Sequence, residues 1–262
     1  MLFDFQVNTA TTYWPEIRAQ TLTAEANGFD AVWVWDHLTG VTMGGGDTMS
    51  DCFTLLGALA AVTSTLHLGP LVANVQNRPP SMLANAAATL QNISDGRLLL
   101  GLGSGGGPNG PFTAEHRTAG ISLLPHLVQR HDALFDCFDV MDRMWADDRH
   151  ERYRGFPKPV SLPPRIVGLN SERLAILVGQ RADGVNVRAR GDNARALLDT
   201  AKSAAGDRPF ARTVFFTFDD EYLDPDHELR VRFADVDRTI FVAMNPTDST
   251  AIARGARRLG IG

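Results

Sequence analysis

The sequence predicts an α/β fold, a single (β/α)8 TIM barrel spanning residues 1–262, and three observations carry that expectation. Eight short apolar runs alternate with longer stretches of helical periodicity. The runs are β-branched or leucine-rich with little polar alternation, as parallel strands covered on both faces require. The chain has 262 residues, and one barrel of this kind commonly takes ~250. A doubly wound open sheet uses the same local grammar; eight strands favour the closed form.

The first strand is expected at Leu2–Val7, before a helix over Trp14–Asn27 that Asn27-Gly28 would stop. The second strand, Asp30–Trp35, leads to a helix at Asp51–Ser64. The third, Leu66–Asn74, precedes a helix over Ser81–Ser94, which Asp95-Gly96 would end. The fourth strand is placed at Arg97–Gly103, and one long helix at Ile121–Ala146. Pro157, Pro159, Pro163 and Pro164 make Arg152–Pro164 a loop before the fifth strand, Arg165–Leu169. Helix Glu172–Gln180, strand Gly184–Val187, helix Asp192–Ala205 and strand Arg212–Phe218 continue the alternation. The charged stretch Asp219–Arg232 reads as a surface excursion before the last strand, Thr239–Met244, and a helix at Thr247–Leu259.

Composition narrows the function class. Hydrophobic residues at 44% and charged residues at 21% describe a packed globule and exclude wholesale disorder. A net charge of -5 argues against a nucleic-acid grip over the whole surface. No run reaches the ~18 apolar residues of a membrane helix. Met1–Phe5 lacks the basic and apolar parts of a signal peptide. Cys52 and Cys137 lie among apolar neighbours without metal-ligand spacing, as thiols in a reducing compartment do. The expectation is a cytoplasmic protein with a small-molecule substrate, no nucleic-acid or membrane partner and no metal.

Active sites of such barrels lie at the C-terminal ends of the strands. The residues that follow the strands there include Gln6, Asn8, Asp36, His37, Asn74, Gln76 and Asn77. Farther along come Ser104 with Gly105, Gly106 and Gly107, then Asn170, Ser171, Asn186 and Arg188. His37 stands out because an imidazole titrates near neutrality and can give or take a proton. Strand alternation puts His37 on the face of Trp33 and Trp35 and Asp36 on the other. The two cannot pair side by side: one faces the site while the other braces the loop. A plain strand-to-loop cap without catalysis is the alternative.

Gly101, Gly103 and Gly106 formally match the dinucleotide fingerprint, but Pro108-Asn109-Gly110-Pro111 blocks the helix it should open. Glycines here suit a close backbone approach to a phosphate or a flat ring. Asn170 or Ser171 would cap the helix starting at Glu172, whose free N–H groups favour an anion.

Several segments together resemble the bacterial luciferase-like superfamily. Gly28-Phe29-Asp30-Ala31-Val32-Trp33-Val34-Trp35-Asp36-His37-Leu38 resembles its second-strand motif. Ile93-Ser94-Asp95-Gly96-Arg97-Leu98-Leu99-Leu100-Gly101-Leu102-Gly103-Ser104-Gly105 resembles its fourth-strand motif. Arg78-Pro79-Pro80, Ala182-Asp183-Gly184 and Val236-Asp237-Arg238 resemble three further landmarks in the right order. The resemblance implies a TIM barrel binding FMN or the deazaflavin coenzyme F420, often as a homodimer. The Asp-His pair is similar to the F420-dependent branch, which includes methylenetetrahydromethanopterin reductase and glucose-6-phosphate dehydrogenase. It implies proton transfer by His37, with Asp36 beside it, and a cofactor phosphate held by Ser104, Gly105, Gly106, Asn170 and Ser171. It also implies a bulge with a non-proline cis peptide behind the ring, in the segment of Leu71, Val72, Ala73 and Asn74.

There are departures. Gly106 stands where the sugar-phosphate dehydrogenases carry a glutamate proton donor, which argues against their reaction. Asn170-Ser171 replaces two glycines, Trp35 is bulky, and shortened insertions predict an open site. An FMN-dependent monooxygenase and a non-catalytic flavin- or deazaflavin-binding protein are the alternatives.

Overall fold

Parallel strands roll into a barrel in the computed structural model, which describes residues 1–244 and Leu259. The strands are β1 (Leu2–Gln6), β2 (Ala31–Val34), β3 (His67–Pro70), β4 (Ala73–Asn74), β5 (Leu100–Gly103), β6 (Arg165–Gly168), β7 (Gly184–Arg188), β8 (Ala211–Thr217) and β9 (Arg238–Val242). Between them run helices α1 (Trp14–Ala26), α2 (Cys52–Val62), α3 (Pro80–Ile93), α4 (Thr113–Thr118), α5 (Leu127–Trp145), α6 (Glu172–Arg181), α7 (Ala194–Ala205) and α8 (Glu228–Arg232). The order is β3-β2-β1-β9-β8-β7-β6-β5-β4, every pairing parallel. A parallel bridge between Leu68 and Leu98 joins the two ends of that order. Segments β3 and β4 are therefore two halves of one stave, and the barrel has eight.

Alternation along each stave builds two cores. Outward residues such as Phe5, Val32, Val34, Leu100 and Leu102 pack under the helices. Inward residues Ala31, Trp33, Leu71, Leu99, Ile166 and Ile240 fill the barrel, with Val72 and Phe215 against them. Room for the Trp33 indole depends on glycine: a Cβ at Gly69 would come within 2.7 Å of its ring. Below this layer the fully buried Asp4 accepts from Trp33 Nε1 at 2.9 Å and pairs with Arg238 at 2.8 Å.

The helices stop where their glycines permit. Gly28, Gly96 and Gly206 all take positive φ, as does Asp95. No helix among the described residues is long and apolar enough to cross a membrane.

The structure corrects four expectations. The third stave is not continuous over Leu66–Asn74: it breaks at a cis Leu71–Val72 bond, within the segment expected to bulge. The helix expected at Ile121–Ala146 begins only at Leu127, because Pro125 lies in a loop, and a separate short helix occupies Thr113–Thr118. The stretch Asp219–Arg232 is not all surface, since Tyr222 and Leu223 are buried and Tyr222 packs on Phe216 and Phe241. The expected open mouth is partly walled by the segment after β5, which contributes Phe112, Glu115 and Leu123 to the cavity lining. The helix expected at Thr247–Leu259 lies, apart from Leu259, outside the described residues.

Candidate active site

A cavity of about 610 Å³ opens at the C-terminal mouth of the barrel. That is within the range of ligand pockets, and its place is where barrels of this kind work. Its floor follows from alternation: Gln6, Leu71, Asn186 and Phe215 all point inward from the upper ends of their staves. Gln6 Nε2 donates to Leu71 O at 3.2 Å, tying the first stave to the break in the third. Val72 lies between two glycines. A Cβ at Gly103 would run into its Cγ2, and one at Gly168 would reach 3.3 Å from its Cγ1. Side chains at either position would displace the cavity floor.

Asp36 and His37 split as alternation demands. Asp36 is buried and its carboxylate is committed: Arg78 Nη1 and Nη2 donate to its two oxygens at 2.7 Å each, and Asn74 N donates at 2.8 Å. Burial works against the Arg78 charge, yet Asp36 raises its pKa above the ordinary value. Pro79 and Pro80 start α3 immediately after Arg78, so the ion pair anchors that helix to the second stave. Asp36 also forms part of the cavity wall, but its oxygens are turned to this brace.

His37 faces the cavity. Its Nδ1 lies 2.9 Å from Glu115 Oε1, and its ring sits 4.4 Å from that of Phe112. Glu115 Oε2 accepts from Leu38 N at 2.9 Å and from Thr39 N at 3.2 Å. With a carboxylate oxygen as acceptor, Nδ1 carries the imidazole proton and Nε2 is left toward the cavity without a hydrogen-bond partner among the described residues. Glu115 is nearly fully buried, on a helix whose start follows Pro111 and Phe112. Next to it the buried His116 lies within hydrogen-bond distance of Asn74, Asn77 and the Phe112 carbonyl, so it fixes α4 against the loop after β4.

The glycine segment after β5 is a shaped rim. Gly105 has φ +72°, which favours glycine, and a Cβ there would collide with Asn74 and Gln76. Gln76 Nε2 donates to the carbonyls of Ser104 at 3.1 Å and Gly106 at 3.0 Å, and its Oε1 accepts from Leu124 N at 2.8 Å. Among the residues expected to hold a phosphate, Gly105 and Gly106 line the cavity. Ser104, Asn170 and Ser171 stand behind its rim. Ser171 Oγ caps α6 by accepting from Leu174 N at 3.3 Å, and Asn170 Nδ2 donates to Ser104 Oγ at 3.3 Å. His131, from α5, completes the set: Nε2 contacts Asn170 Oδ1 at 3.2 Å, and Arg173 donates to Nδ1 at 3.0 Å. Burial holds the His131 pKa below the ordinary value, which favours the neutral ring that can accept from Arg173.

Of the bulge residues, Leu71, Val72 and Asn74 reach the cavity, while Ala73 points into the outer core. Sequence reasoning missed Glu115, Phe112 and His131. Phe112 and Glu115 sit in a stretch that carries neither strand alternation nor an extended helical period. His131 lies mid-helix, where one histidine carries no signal of its own.

Two geometric features fit a flat, anionic redox cofactor. The cavity floor sets apolar Leu71, Val72 and Phe215 beside the amides of Gln6 and Asn186 and is kept low by Gly103 and Gly168, and the rim joins a glycine backbone to the capped N-terminus of the ten-residue helix α6.

Known proteins bear on this geometry. The chain is 27% identical over 197 residues to the F420-dependent hydroxymycolic acid dehydrogenase of Mycobacterium tuberculosis, covering 72% of this chain and 52% of that protein. It is 28% identical over 179 residues to the F420-dependent glucose-6-phosphate dehydrogenase of Segniliparus rotundus, covering 64% of this chain and 51% of the relative. The chain thus spans about half the length of these curated relatives. The structure of an F420-dependent secondary alcohol dehydrogenase in complex with an F420-acetone adduct superposes with a TM-score of 0.76 over 99% of this chain and 98% of that one, at 16% identity. The same barrel is shared at that distance. The family model for luciferase-like monooxygenases matches residues 1–222, a span that takes in every stave from β1 to β8, His37 and its Glu115 partner, and the glycine rim. The chain belongs to the luciferase-like monooxygenase family.

Proposed function

We propose that this chain is an F420-dependent oxidoreductase acting on a small organic substrate, with His37 as its proton-handling residue. The observation that carries the reading is the His37–Glu115 pair facing an apolar cavity, Nδ1 anchored and Nε2 free. Two curated relatives named for F420 dependence support the cofactor. Bound deazaflavin would supply or accept a hydride. His37 Nε2 would take the proton of a substrate hydroxyl during oxidation, or return it to the oxygen during reduction. Glu115 holds the ring in one tautomer and favours the imidazolium that forms. Asp36 positions His37 through the backbone it braces and takes no proton. Gly105 and Gly106, with Ser104, Asn170 and Ser171 behind them, would bind the cofactor phosphate. Leu71 and Val72 would support its ring.

The test is a pair of measurements on His37→Ala. Turnover is expected to fall by about 10²–10⁴-fold, the usual worth of a placed acid–base group, with F420 affinity within a few-fold of wild type. Equal losses in turnover and binding would make His37 a binding residue and remove the proposed role. The rival, an FMN-dependent monooxygenase, is suggested by the family's own description. Titration of the protein with F420 and with FMN separates them, and tight FMN binding with none of F420 would overturn the proposal.

A further inference from the structure

We propose that Arg188 is the substrate-selecting residue of this cavity and that it recognises a carboxylate or phosphate group on the molecule undergoing oxidation or reduction. The inference deepens the oxidoreductase reading and rests on it for the identity of the pocket.

Charge accounting in the cavity leads to it. The ionisable side chains in the lining are Asp36, His37, Glu115, His116 and Arg188. Asp36 is neutralised by Arg78, and the oxygens of Glu115 are occupied by His37 Nδ1 and two backbone N–H groups. His116 is tied to Asn74, Asn77 and Phe112. Arg188 alone of the five has no ion pair or side-chain hydrogen bond among the described residues, although acidic groups are close along the chain. Its neighbour Arg190 takes Asp219 at 3.0 Å. A guanidinium offers five N–H donors in a planar fork that matches carboxylate and phosphate oxygens.

Position makes the charge selective. Arg188 ends β7 on the inward face, in register with Gly184 and Asn186. With β3 and β4 forming one stave, β7 stands four staves from β2 in either direction around the ring. Arg188 and His37 therefore rise from opposite sides of the mouth. A substrate spanning the cavity would present its reacting carbon and oxygen to His37 and its acidic group to Arg188. The intervening floor joins apolar Leu71, Val72 and Phe215 to the amides of Gln6 and Asn186, which already donate to Leu71 O and Thr213 Oγ1, so no second cation competes for the anion there. A single positive charge in a concave apolar mouth also concentrates anions at it.

The experiment compares 7-oxooctanoate, whose ketone and carboxylate are separated by a flexible methylene chain long enough to cross the mouth, with its methyl ester, which keeps the ketone and loses the charge. Binding of each is measured by calorimetry to the full-length protein, both alone and loaded with F420. Wild type is expected to prefer the free acid by about 10- to 100-fold, the worth of one charge-assisted contact. Arg188→Gln should erase the preference and Arg188→Lys should restore part of it. Arg190→Gln, on the same turn but paired to Asp219, should leave it intact. A wild type that binds both alike, or neither, overturns the proposal, as does a preference that survives in Arg188→Gln. Should Arg188→Gln instead weaken F420 binding more than tenfold with the acid-over-ester preference unchanged, Arg188 serves the cofactor phosphate and the assignment to substrate falls. Failure of wild type to bind F420 at all is a separate result. It would remove the oxidoreductase reading, while the anion preference is still read on the unloaded protein.

Discussion

The barrel interior is polar at two levels, and the two are built to opposite ends. In the lower layer the buried Asp4 carboxylate has both oxygens taken, one by Trp33 Nε1 and one by Arg238. At the mouth, His37 keeps Nε2 open and Arg188 keeps its whole guanidinium open, and both face a cavity. The same inward alternation produces both. Their partners differ: the lower groups find each other across adjacent staves, whereas the upper pair stands on opposite staves. An inward polar group with a neighbour for a partner is structure, and one that looks across empty space is available for a ligand.

The sharpest way to break this comparison is to open the lower cluster. Arg238→Ala leaves Asp4 buried without its cation, and a loss of about 3–5 kcal/mol in unfolding free energy is expected. Burial pushes the Asp4 carboxyl up to about 7 against the pull of Arg238 and the Trp33 indole. A group raised in this way contributes stability that is full below its unfolded value of 3.8 and declines as pH rises toward 7. Without Arg238 the charged form is worse still. Denaturant titrations at pH 5 and pH 8 should show the larger deficit at pH 8; equal deficits would mean that the pair contributes packing alone.

At the mouth the corresponding change is Glu115→Gln. The amide oxygen can keep the Leu38 and Thr39 N–H bonds, so the fold should hold. The imidazolium loses its counter-charge and Nδ1 loses its fixed acceptor. Turnover is expected to fall about 10- to 100-fold at unchanged KM, because a group that acts through His37 contributes to proton transfer and not to substrate affinity. A rise in KM or a drop in melting temperature that accounts for the whole loss would make Glu115 a structural anchor only.

The part of this site that sequence reveals is the part that periodicity touches. Gln6, His37, Asn186 and Arg188 follow from strand ends plus a period of two, and the split between Asp36 and His37 follows from the same rule. Which of Asp36 and His37 faces the ligand is left open by alternation alone; the structure decides it by putting Trp33 inside the barrel and His37 on the same face. Glu115 and Phe112 escape this logic because they reach the cavity from a short helix within a loop, whose path depends on Pro111, on His116 contacts 39 and 42 residues back in the chain, and on Gln76 holding the glycine rim. The break in the third stave is legible only by resemblance; composition around Leu71 and Val72 is that of an ordinary strand.

Glycine gives a smaller and more local test. Gly103 and Gly106 lie three residues apart and read alike in sequence. At Gly103 a Cβ meets Val72 in the cavity floor, whereas at Gly106 nothing lies within 4 Å. Gly103→Ala should cost about 1–3 kcal/mol of stability by overpacking, while Gly106→Ala should stay within about 0.5 kcal/mol of wild type. Chemical denaturation distinguishes them, and equal costs would refute the view that the floor, unlike the rim, is set by packing.

The smallest expected effect is a titration at the edge of the mouth. His131 is buried, and burial first of all, with Arg173 and Arg130 nearby, depresses its pKa, while Asn170 and Asp132 oppose the shift. Folding therefore favours the neutral ring. The stability it contributes is present above its ordinary value of 6.5 and is lost as pH falls through that value toward the depressed one. The protonated ring can no longer accept from Arg173, and the line from Arg173 through His131 and Asn170 to Ser104 is broken at its first bond. Melting curves between pH 7.5 and 5 should thus fall more steeply for wild type than for His131→Gln, whose amide can accept from Arg173 and donate to Asn170 at every pH. Parallel curves would show that the rim is insensitive to this proton, and that His131 fills space between α5 and α6 without steadying Ser104.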